Sequence, residues 1–205
     1  MAEKTKITKK KLFEEIEIPS NINASLNENE ISMKKDNNEV RKKLNKKLKV
    51  EIKENKIIVS CNRSTKKEKK IFGSTIAHIN NVIKGLDNKF KYKLQVASVH
   101  FPITLTHDKS NNEIVVKNFL GEKKDRKIKL IPGVDVKITK DIIEIECADI
   151  EKAGQVAANI EKGTKVRNRD RRIFQDGIFI TEKPGRVFSW ENKNSLDWVI
   201  HNIQN

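Results

Sequence analysis

The sequence is poor in cysteine and in aromatic residues and has no long apolar run, and each shortage excludes a class of protein. Cys61 and Cys147 are the only cysteines among 205 residues, and no histidine lies close to either of them in sequence. A zinc site needs about four ligands at short spacings, so neither a metal site nor a cofactor is predicted. Two cysteines in an intracellular chain are typically buried thiols rather than a disulfide.

Membrane insertion and secretion also lack their sequence signals. No apolar run approaches the roughly 20 residues that cross a bilayer. Residues 1–11 are rich in lysine, but no apolar core of a signal peptide follows them. The sequence therefore predicts a cytosolic protein without a membrane partner.

The common catalytic motifs are missing as well. The chain has no G-x-x-x-x-G-K phosphate loop, no G-x-S-x-G nucleophile motif and no H-E-x-x-H metal motif. Asp170 and Asp176 are the candidates for a carboxylate pair, but Asp170 lies among arginines, where an ion pair is the ordinary explanation. His100 is a candidate general base without an identifiable nucleophile or orienting partner. We therefore expect neither an enzyme nor a small-molecule substrate, and an RNA-processing enzyme is the most distant alternative.

Positive charge is what the sequence has in excess. Its 43 lysines and arginines outnumber 28 acidic residues, which gives a net charge of +15. Such a protein most simply binds nucleic acid. The basic residues recur in five runs, most of which we place at loops or strand ends: 9–11, 41–47, 66–70, 123–129 and 165–172. Because aromatic residues make up only 5% of the chain, we expect binding of folded RNA by shape and backbone rather than reading of single strands.

The densest cationic run lies near the C-terminus. It places five cations within eight residues: Lys165, Arg167, Arg169, Arg171 and Arg172. Arginine forks suit the phosphates of a polyanion, although a solvated surface is the usual role of a charge run. An alternating apolar segment follows, with Ile173, Phe174, Ile178 and Ile180. We therefore expect these cations on a folded edge rather than in a loose tail.

The two halves of the chain resemble each other. Five apolar positions recur 86 residues later (136 − 50 = 86): Val50, Ile52, Ile57, Val59 and Cys61 correspond to Val136, Ile138, Ile143, Ile145 and Cys147. Alternation on both sides of a polar turn predicts one hairpin in each half, with turns at 54–55 and 140–141. Residues 29–34 and 112–117 are predicted to form a second strand in each half, and the cysteines are matched core positions.

A helix is predicted after each hairpin. The first has an apolar stripe of Phe72, Ile76, Ile79, Ile83 and Leu86, with Gly85 near the end where a C-cap glycine is common. In the second, Asp149 is the predicted N-cap and Gly163 the closing residue; its stripe is Ala153, Val156, Ala157 and Ile160. The fold class is therefore α+β, in two tandem copies of a small antiparallel sheet packed against one helix.

This pattern divides the chain into four parts. We assign residues 1–11 to a basic arm, 12–90 to the first repeat, 91–183 to the second repeat with its basic segment, and 184–205 to a C-terminal tail. Residues 86–90 are the predicted connector. In the tail, Ser195 is a potential cap for a short helix whose apolar face holds Leu196, Val199, Ile200 and Ile203.

Several ordered motifs resemble one known family. They are Gly73 to Gly85 (GSTIAHINNVIKG), Ser98 to Pro102 (SVHFP), Asn118 to Lys123 (NFLGEK), Gln155 to Glu161 (QVAANIE) and Arg172 to Ile178 (RIFQDGI). At these residues the chain is similar to the large-subunit ribosomal protein conventionally called L-six, or L-nine in eukaryotic naming, in its archaeal and eukaryotic form. The resemblance spans nearly all of residues 16–183.

The resemblance implies a structural protein rather than an enzyme. It implies binding of large-subunit rRNA near the sarcin–ricin loop and the stalk base, beside neighbouring ribosomal proteins and the docking region for translation factors. The residues that it marks for rRNA binding are Lys165, Arg167, Arg169, Arg171 and Arg172, together with His100 and Lys123. A stand-alone RNA-binding adaptor outside the ribosome is the alternative.

Two features depart from the family pattern. Residues 35–38, Lys-Asp-Asn-Asn, replace a Gly-Pro-x-Gly turn in the first hairpin of the family. Asp and Asn tolerate left-handed backbone conformations better than most residues, so we expect the turn to form with altered geometry. The second departure is the tail after Lys183, where members of the family commonly stop or continue with basic residues. This tail holds both tryptophans, and its charges cancel.

Overall fold

A computed structural model describes residues 11–27, 29–36, 38–53, 55–62, 65–170 and 172–188. Most of the predicted basic arm, the predicted tail helix over 195–203 and Arg171 lie outside these residues. The chain forms two compact units, one up to Lys89 and one from Phe90. Each unit contains small antiparallel sheets and a helix, as the α+β prediction requires.

Unit 1 carries two three-stranded sheets. Its elements are β1 (Leu12–Glu17), β2 (Asn23–Asn27), β3 (Glu30–Lys35), β4 (Asn38–Lys43), β5 (Lys49–Lys53), β6 (Lys56–Cys61) and α1 (Lys66–Asp87). One sheet has the order β1-β6-β5 and the other β2-β3-β4, all antiparallel. The β5–β6 hairpin closes at Lys53 and Lys56 around residues 54–55, which confirms the predicted turn. Ile57 and Val59 alternate into the core with no exposed surface.

The cap of α1 explains where this helix begins. The Thr65 hydroxyl accepts from the Glu68 amide at 3.4 Å, and the Glu68 carboxylate accepts from the Thr65 amide at 3.1 Å. This reciprocal capping box satisfies two backbone donors that a helix start leaves open. Gly85 is not the C-cap, which is a correction: it lies inside the helix and is buried, and Asn88 is the cap. The predicted connector over 86–90 is correspondingly shorter, because the helix continues through Asp87.

The apolar stripe of α1 is shifted slightly from the prediction. Phe72, Ile76, Ile79 and Leu86 are buried as expected. Val82 is buried instead of Ile83, which is only half-buried. Both residues are apolar and adjacent, so the sequence pattern alone does not separate them.

Unit 2 repeats this plan and extends it. Its elements are β7 (Phe90–Ala97), β8 (Thr104–Asp108), β9 (Glu113–Lys117), a 3-10 turn (Phe119–Gly121), β10 (Arg126–Lys129), β11 (Asp135–Thr139), β12 (Ile142–Cys147), α2 (Ile150–Gly163), β13 (Gly177–Lys183) and β14 (Arg186–Val187). One sheet has the order β10-β9-β8, and the other β11-β12-β7-β13-β14. Asp149 caps α2 by accepting from the Glu151 amide at 3.0 Å, and α2 ends at Gly163, both as predicted.

The repeat extends to individual hydrogen bonds. The Cys61 thiol donates to the Lys47 carbonyl at 3.8 Å, and the Cys147 thiol donates to the Gly133 carbonyl at 3.4 Å. Donor and acceptor are both displaced by 86 residues (147 − 61 = 86; 133 − 47 = 86). Both thiols are free and buried, so the two cysteines are matched core positions, as predicted. Burial raises the pKa of the Cys147 thiol, which keeps it protonated and unreactive.

The altered hairpin turn of unit 1 forms as expected. The β3–β4 hairpin closes at Lys35 and Asn38. Asp36, the first residue of its turn, has a φ of 50°, in the left-handed region. Aspartate enters that region more readily than most residues.

Candidate nucleic-acid interface

Residues 164–176, which we call the basic segment, connect α2 to β13. Their described members, 164–170 and 172–176, form a loop rather than a strand. Thr164 joins its two ends, because its buried hydroxyl donates to the Ile160 carbonyl at 3.1 Å and accepts from the Ile178 amide at 3.1 Å. The apolar residues of the alternating segment differ in burial. Ile178 is buried, whereas Ile173 is 62% exposed.

The predicted cations of the basic segment reach solvent. Lys165, Arg167, Arg169 and Arg172 are all exposed, and Arg171 lies outside the described residues. Arg167 lines an open cleft of about 330 Å³ whose other basic residues are Lys127, Lys129 and Lys162. We call this group the arginine cleft. Four cations around one cleft, drawn from β10, α2 and the basic segment, form a site suited to phosphate groups.

Asp176 holds the basic segment against the loop that follows β7. Its carboxylate accepts from the backbone amides of Val99 at 2.8 Å and His100 at 3.0 Å, and it contacts His100 Nδ1 at 2.6 Å. Its side chain has no exposed surface. Burial alone would raise the pKa of the Asp176 carboxyl, but the hydrogen bonds from His100 and Val99 outweigh it and hold the pKa below its ordinary value. The carboxylate is therefore a charged structural anchor.

A stack of side chains extends from this anchor. The His100 ring lies over Phe174 with ring centroids 4.9 Å apart and an interplanar angle of 28°. The Arg169 guanidinium lies over the same phenylalanine, 4.8 Å from the ring centroid. His100 and Arg169, two residues predicted from the sequence to bind rRNA, are thus brought together by Phe174. A planar stack with a cation at one end suits a nucleotide, which offers both a base face and a phosphate.

His100 therefore has an orienting partner, which corrects the prediction that it has none. The partner is Asp176, which lies 76 residues away in sequence. Both candidate carboxylates already accept hydrogen bonds. Asp176 is used by three donors, and the Asp170 carboxylate accepts from the Arg172 amide at 2.9 Å within a turn.

Arg126 is a cation that the fold itself uses. Its guanidinium donates to the Gly163 carbonyl at 3.0 Å, to the Lys165 carbonyl at 3.3 Å and to the Glu122 carboxylate at 2.8 and 2.5 Å. It also lies 4.0 Å from the centroid of the buried Phe119 ring. The hydrogen bond from Arg126 lowers the pKa of the Glu122 carboxyl. Arg126 thus ties β10 to the end of α2 and to the basic segment, and its charge is not available to a partner.

Lys123 belongs neither to the stack nor to the arginine cleft. It is exposed in the loop before β10 and makes no hydrogen bond or ion pair with any residue in the described part of the chain. The preceding turn is left-handed at Asn118 and Leu120, with φ values of 58° and 52°. The Asn118 side-chain Nδ2 donates to the Pro102 carbonyl at 3.0 Å. Three motifs from the sequence, SVHFP, NFLGEK and RIFQDGI, therefore meet on one side of unit 2.

Comparison with known proteins identifies the family. The model of the family described as Ribosomal protein L6 matches residues 18–89 and again 108–177, one range in each unit. The chain belongs to the Ribosomal protein L6 family. Members of this family are structural proteins rather than enzymes, in agreement with the prediction from sequence.

Three archaeal relatives align with this chain over nearly their whole length. The large ribosomal subunit protein uL6 of Methanococcus vannielii is 38% identical over 175 residues, which cover 85% of this chain and 95% of the relative. The uL6 proteins of Sulfurisphaera tokodaii and Staphylothermus marinus are 40% and 42% identical, over 84% and 82% of this chain and 92% and 93% of the relatives. The archaeal type recognised from the motifs is thereby confirmed.

Other classes of site find no support in the described residues. Within them no group of three or more His, Cys, Asp or Glu residues is placed to hold a metal ion. No helix there is both long enough and apolar enough to cross a membrane.

The sequence predicted His100, Arg167 and Arg169, but not the other residues that build the interface. Asp176, Phe174, Arg126, Lys127, Lys129 and Lys162 were not among the predicted site residues. Lys127 and Lys129 lie in a basic run that the sequence does show, whereas the contacts of Asp176 and Phe174 join positions about 75 residues apart. Residues 66–70, expected in a loop or at a strand end, instead form the exposed first turns of α1, and residues 41–43 lie in β4.

Proposed function

We propose that this chain is a structural component of the large ribosomal subunit in the cytoplasm, where the arginine cleft and the His100–Phe174–Arg169 stack bind large-subunit rRNA. The finer placement, near the sarcin–ricin loop and the stalk base beside the translation-factor docking region, is part of the proposal. The family and the printed names of its relatives support the ribosomal role.

The observation that carries the proposal is the convergence of separate elements on one exposed cationic surface. Lys127, Lys129, Lys162 and Arg167 line one cleft although they come from a strand, a helix and a loop. Their mutual repulsion lowers the stability of the free protein unless an anion neutralises it. Phosphates of a folded RNA backbone provide that neutralisation at several points at once.

The same side of unit 2 also exposes apolar surface. Val99, Phe101 and Ile173 are 64%, 43% and 62% exposed, and all three belong to the segments that Asp176 holds together. Exposed apolar groups beside cations suit a partner that is partly protein. This supports contacts with neighbouring ribosomal proteins as well as with rRNA.

Binding to a defined rRNA fragment tests the proposal. The probe is an RNA that spans the sarcin–ricin loop and the stalk-base region, and the comparison is an unrelated hairpin RNA of equal length. We expect the specific fragment to bind about 100-fold more tightly at physiological salt. Equal affinity for both RNAs would contradict the placement on the ribosome and leave only non-specific binding.

Salt washing of ribosomal particles separates the proposal from a stand-alone adaptor. A protein integrated into the large subunit by shape and buried contacts stays with the subunits during sedimentation at about 1 M salt. A peripheral adaptor held by charge dissociates, because counterion release makes such binding steeply salt-dependent. Complete loss of the chain in the high-salt wash would favour the adaptor.

A further inference from the structure

In each unit the first strand, β1 or β7, pairs with the strand that precedes the helix, β6 or β12. The two units differ in what covers the other edge of that first strand. The pairing of β1 with β6 and of β7 with β12 has the same register: Leu12 opposes Cys61 as Phe90 opposes Cys147, and Ile16 opposes Ile57 as Leu94 opposes Ile143. β1 therefore corresponds to β7 with a displacement of 78 (90 − 12 = 78; 94 − 16 = 78). The other edge of β7 is covered by β13, whereas no described strand pairs with the other edge of β1.

The hydrogen-bonding edge of β1 follows from this register. The Ile18 amide donates to the Asn55 carbonyl at 2.7 Å, as the Val96 amide donates to the Asp141 carbonyl at 2.8 Å. Hydrogen-bonding direction alternates along an antiparallel strand. Residues 12, 14, 16 and 18 therefore direct their backbone groups toward β6. The amides and carbonyls of Phe13, Glu15 and Glu17 face the opposite way, and an uncovered edge of this kind accepts an added strand.

The chemistry of this edge is the reverse of its counterpart in unit 2. Glu15 corresponds to Lys93 of β7, and the Lys93 ammonium pairs at 2.9 Å with the Glu182 carboxylate of β13. β1 also carries Glu14 and Glu17, so three of its six residues are acidic in a chain of net charge +15, and of these the Glu15 carboxylate pairs with the Lys56 ammonium of β6 at 3.2 Å. The acidic strand therefore favours cations on an added strand where β13 carries Glu182.

This charge decides between possible occupants. Phosphates of RNA are repelled by an acidic strand with only one of its three carboxylates, Glu15, in an ion pair of the described residues. Two copies of β1 paired with each other would place carboxylates opposite carboxylates. Residues 4–10 are basic, but they directly precede β1 and lack the glycine, asparagine or proline that a hairpin turn requires. A lysine- or arginine-bearing extended segment of another protein satisfies both the open edge and the charge.

We propose that the outer edge of β1 binds a basic, extended segment of a neighbouring protein, which adds to the sheet of unit 1 as β13 adds to the sheet of unit 2. Phe13, 60% exposed, gives this segment an apolar contact on one face. The proposal does not depend on rRNA binding, since it concerns a different unit and an acidic surface. β1 also precedes the range 18–89 that matches the family model.

Amide exchange in the full-length protein tests the proposal directly. The probe is a peptide as long as β13, 7 residues, in which lysine alternates with valine, and its control has glutamate in place of lysine. We expect the basic peptide to slow exchange of the Phe13, Glu15 and Glu17 amides by about tenfold or more at saturation. The amides of Glu14 and Ile16, already bonded to β6, are the internal reference.

Two variants separate backbone pairing from charge. Glu15→Gln removes one carboxylate, whereas Glu15→Pro also removes the outward amide without breaking a bond to β6. We expect peptide affinity to fall in the order wild type, Glu15→Gln, Glu15→Pro, with about tenfold loss for the proline variant. The folded state of Glu15→Pro is checked by the unchanged exchange protection of Ile57 and Val59 in β6.

Four outcomes would overturn the proposal. Two concern the peptide: equal binding of the acidic and basic peptides, or no added protection of the β1 amides. A third is protection in the free chain that disappears when residues 1–10 or 189–205 are deleted, which would mean that another segment of the same chain covers the edge. The fourth is protection that grows with protein concentration, which would mean that a second copy covers it. None of these outcomes would affect the rRNA proposal, which concerns residues of unit 2.

Discussion

Removal of three arginines from the basic segment gives a quantitative test of phosphate contact. Arg167, Arg169 and Arg172 are exposed, and none of them holds the segment in place, since that role belongs to Thr164, Asp176 and Arg126. Their replacement with glutamine therefore leaves the fold intact, apart from the loss of one cation–aromatic contact between Arg169 and Phe174, worth about 0.5–1 kcal/mol at an exposed site.

The expected magnitude follows from counterion release. Each neutralised phosphate contributes about 0.7–0.9 to the slope of log affinity against log salt concentration. Loss of all three contacts therefore reduces the slope by about 2 to 3 units. The assay measures the dissociation constant for the rRNA fragment of the proposed function at several salt concentrations.

A matched control separates local contact from net charge. Lys137, Lys140 and Lys152 are exposed cations of unit 2 outside the basic segment and the arginine cleft, and their triple glutamine variant loses the same net charge. We expect its slope to change by less than about 1 unit, because remote charges act only through a screened field. Equal slopes for the two triple variants, or no change in either, would refute the assignment of these arginines to phosphates.

Three further predictions concern the scaffold of unit 2, with one control in unit 1. Asp176→Ala removes a buried side chain that accepts from the part-buried amides of Val99 and His100, and is expected to lower the free energy of unfolding by about 1–3 kcal/mol in denaturant titration. A loss below about 0.5 kcal/mol would mean that the anchor is not structural. The folded-state pKa of Asp176 is lowered, so its contribution is fully present above the unfolded value of about 3.9 and is lost as the pH falls through the folded pKa, and Asp176→Asn should flatten the acid limb of the stability profile. Gly163→Ala places a methyl group 2.8 Å from the buried Ile128 side chain and is expected to lower the free energy of unfolding by about 1–3 kcal/mol. Gly73→Ala, whose added methyl group has nothing within 4 Å, should instead stabilise α1 by about 0.5–1 kcal/mol. Equal effects of the two variants would refute the packing argument.

The regular elements were accessible from the sequence because their signals are local. A two-residue hairpin turn, an N-cap at Asp149 and a stripe at helical spacing each involve neighbours within about one turn or one strand pair. Because the pattern occurs twice in the chain, each predicted element was supported by two separate stretches of sequence. Gly85 shows the limit of such reasoning, since a glycine near the end of a helix fits a C-cap and a buried helix face equally well until the partner surface is known.

The interface was predicted only as a set of charges. The sequence shows that Arg126 and Arg167 are cations, but not that Arg126 donates to two carbonyls and one carboxylate while Arg167 lines a cleft. That division depends on where Gly163 and Glu122 come to lie after folding. The role of Asp176 was equally hidden, because a buried carboxylate with three donors and an exposed one within an arginine run look alike in sequence.

The position of β13 imposes an order on synthesis and folding. Pairing of Val96 with Ile178 spans 82 residues (178 − 96 = 82), whereas the pairing of Leu12 with Cys61 spans 49 (61 − 12 = 49). Unit 1 has all its described strands and its helix once residue 87 leaves the ribosome that makes it, but β7 waits for its second partner until residue 183 has been added. A nascent chain stopped at any point before Gly177 presents the β7 edge to its surroundings, and such edges pair with other chains. Chains that end before β13 are thus expected to aggregate through the β7 edge, and the addition of β13 is the step that ends the exposure of that edge.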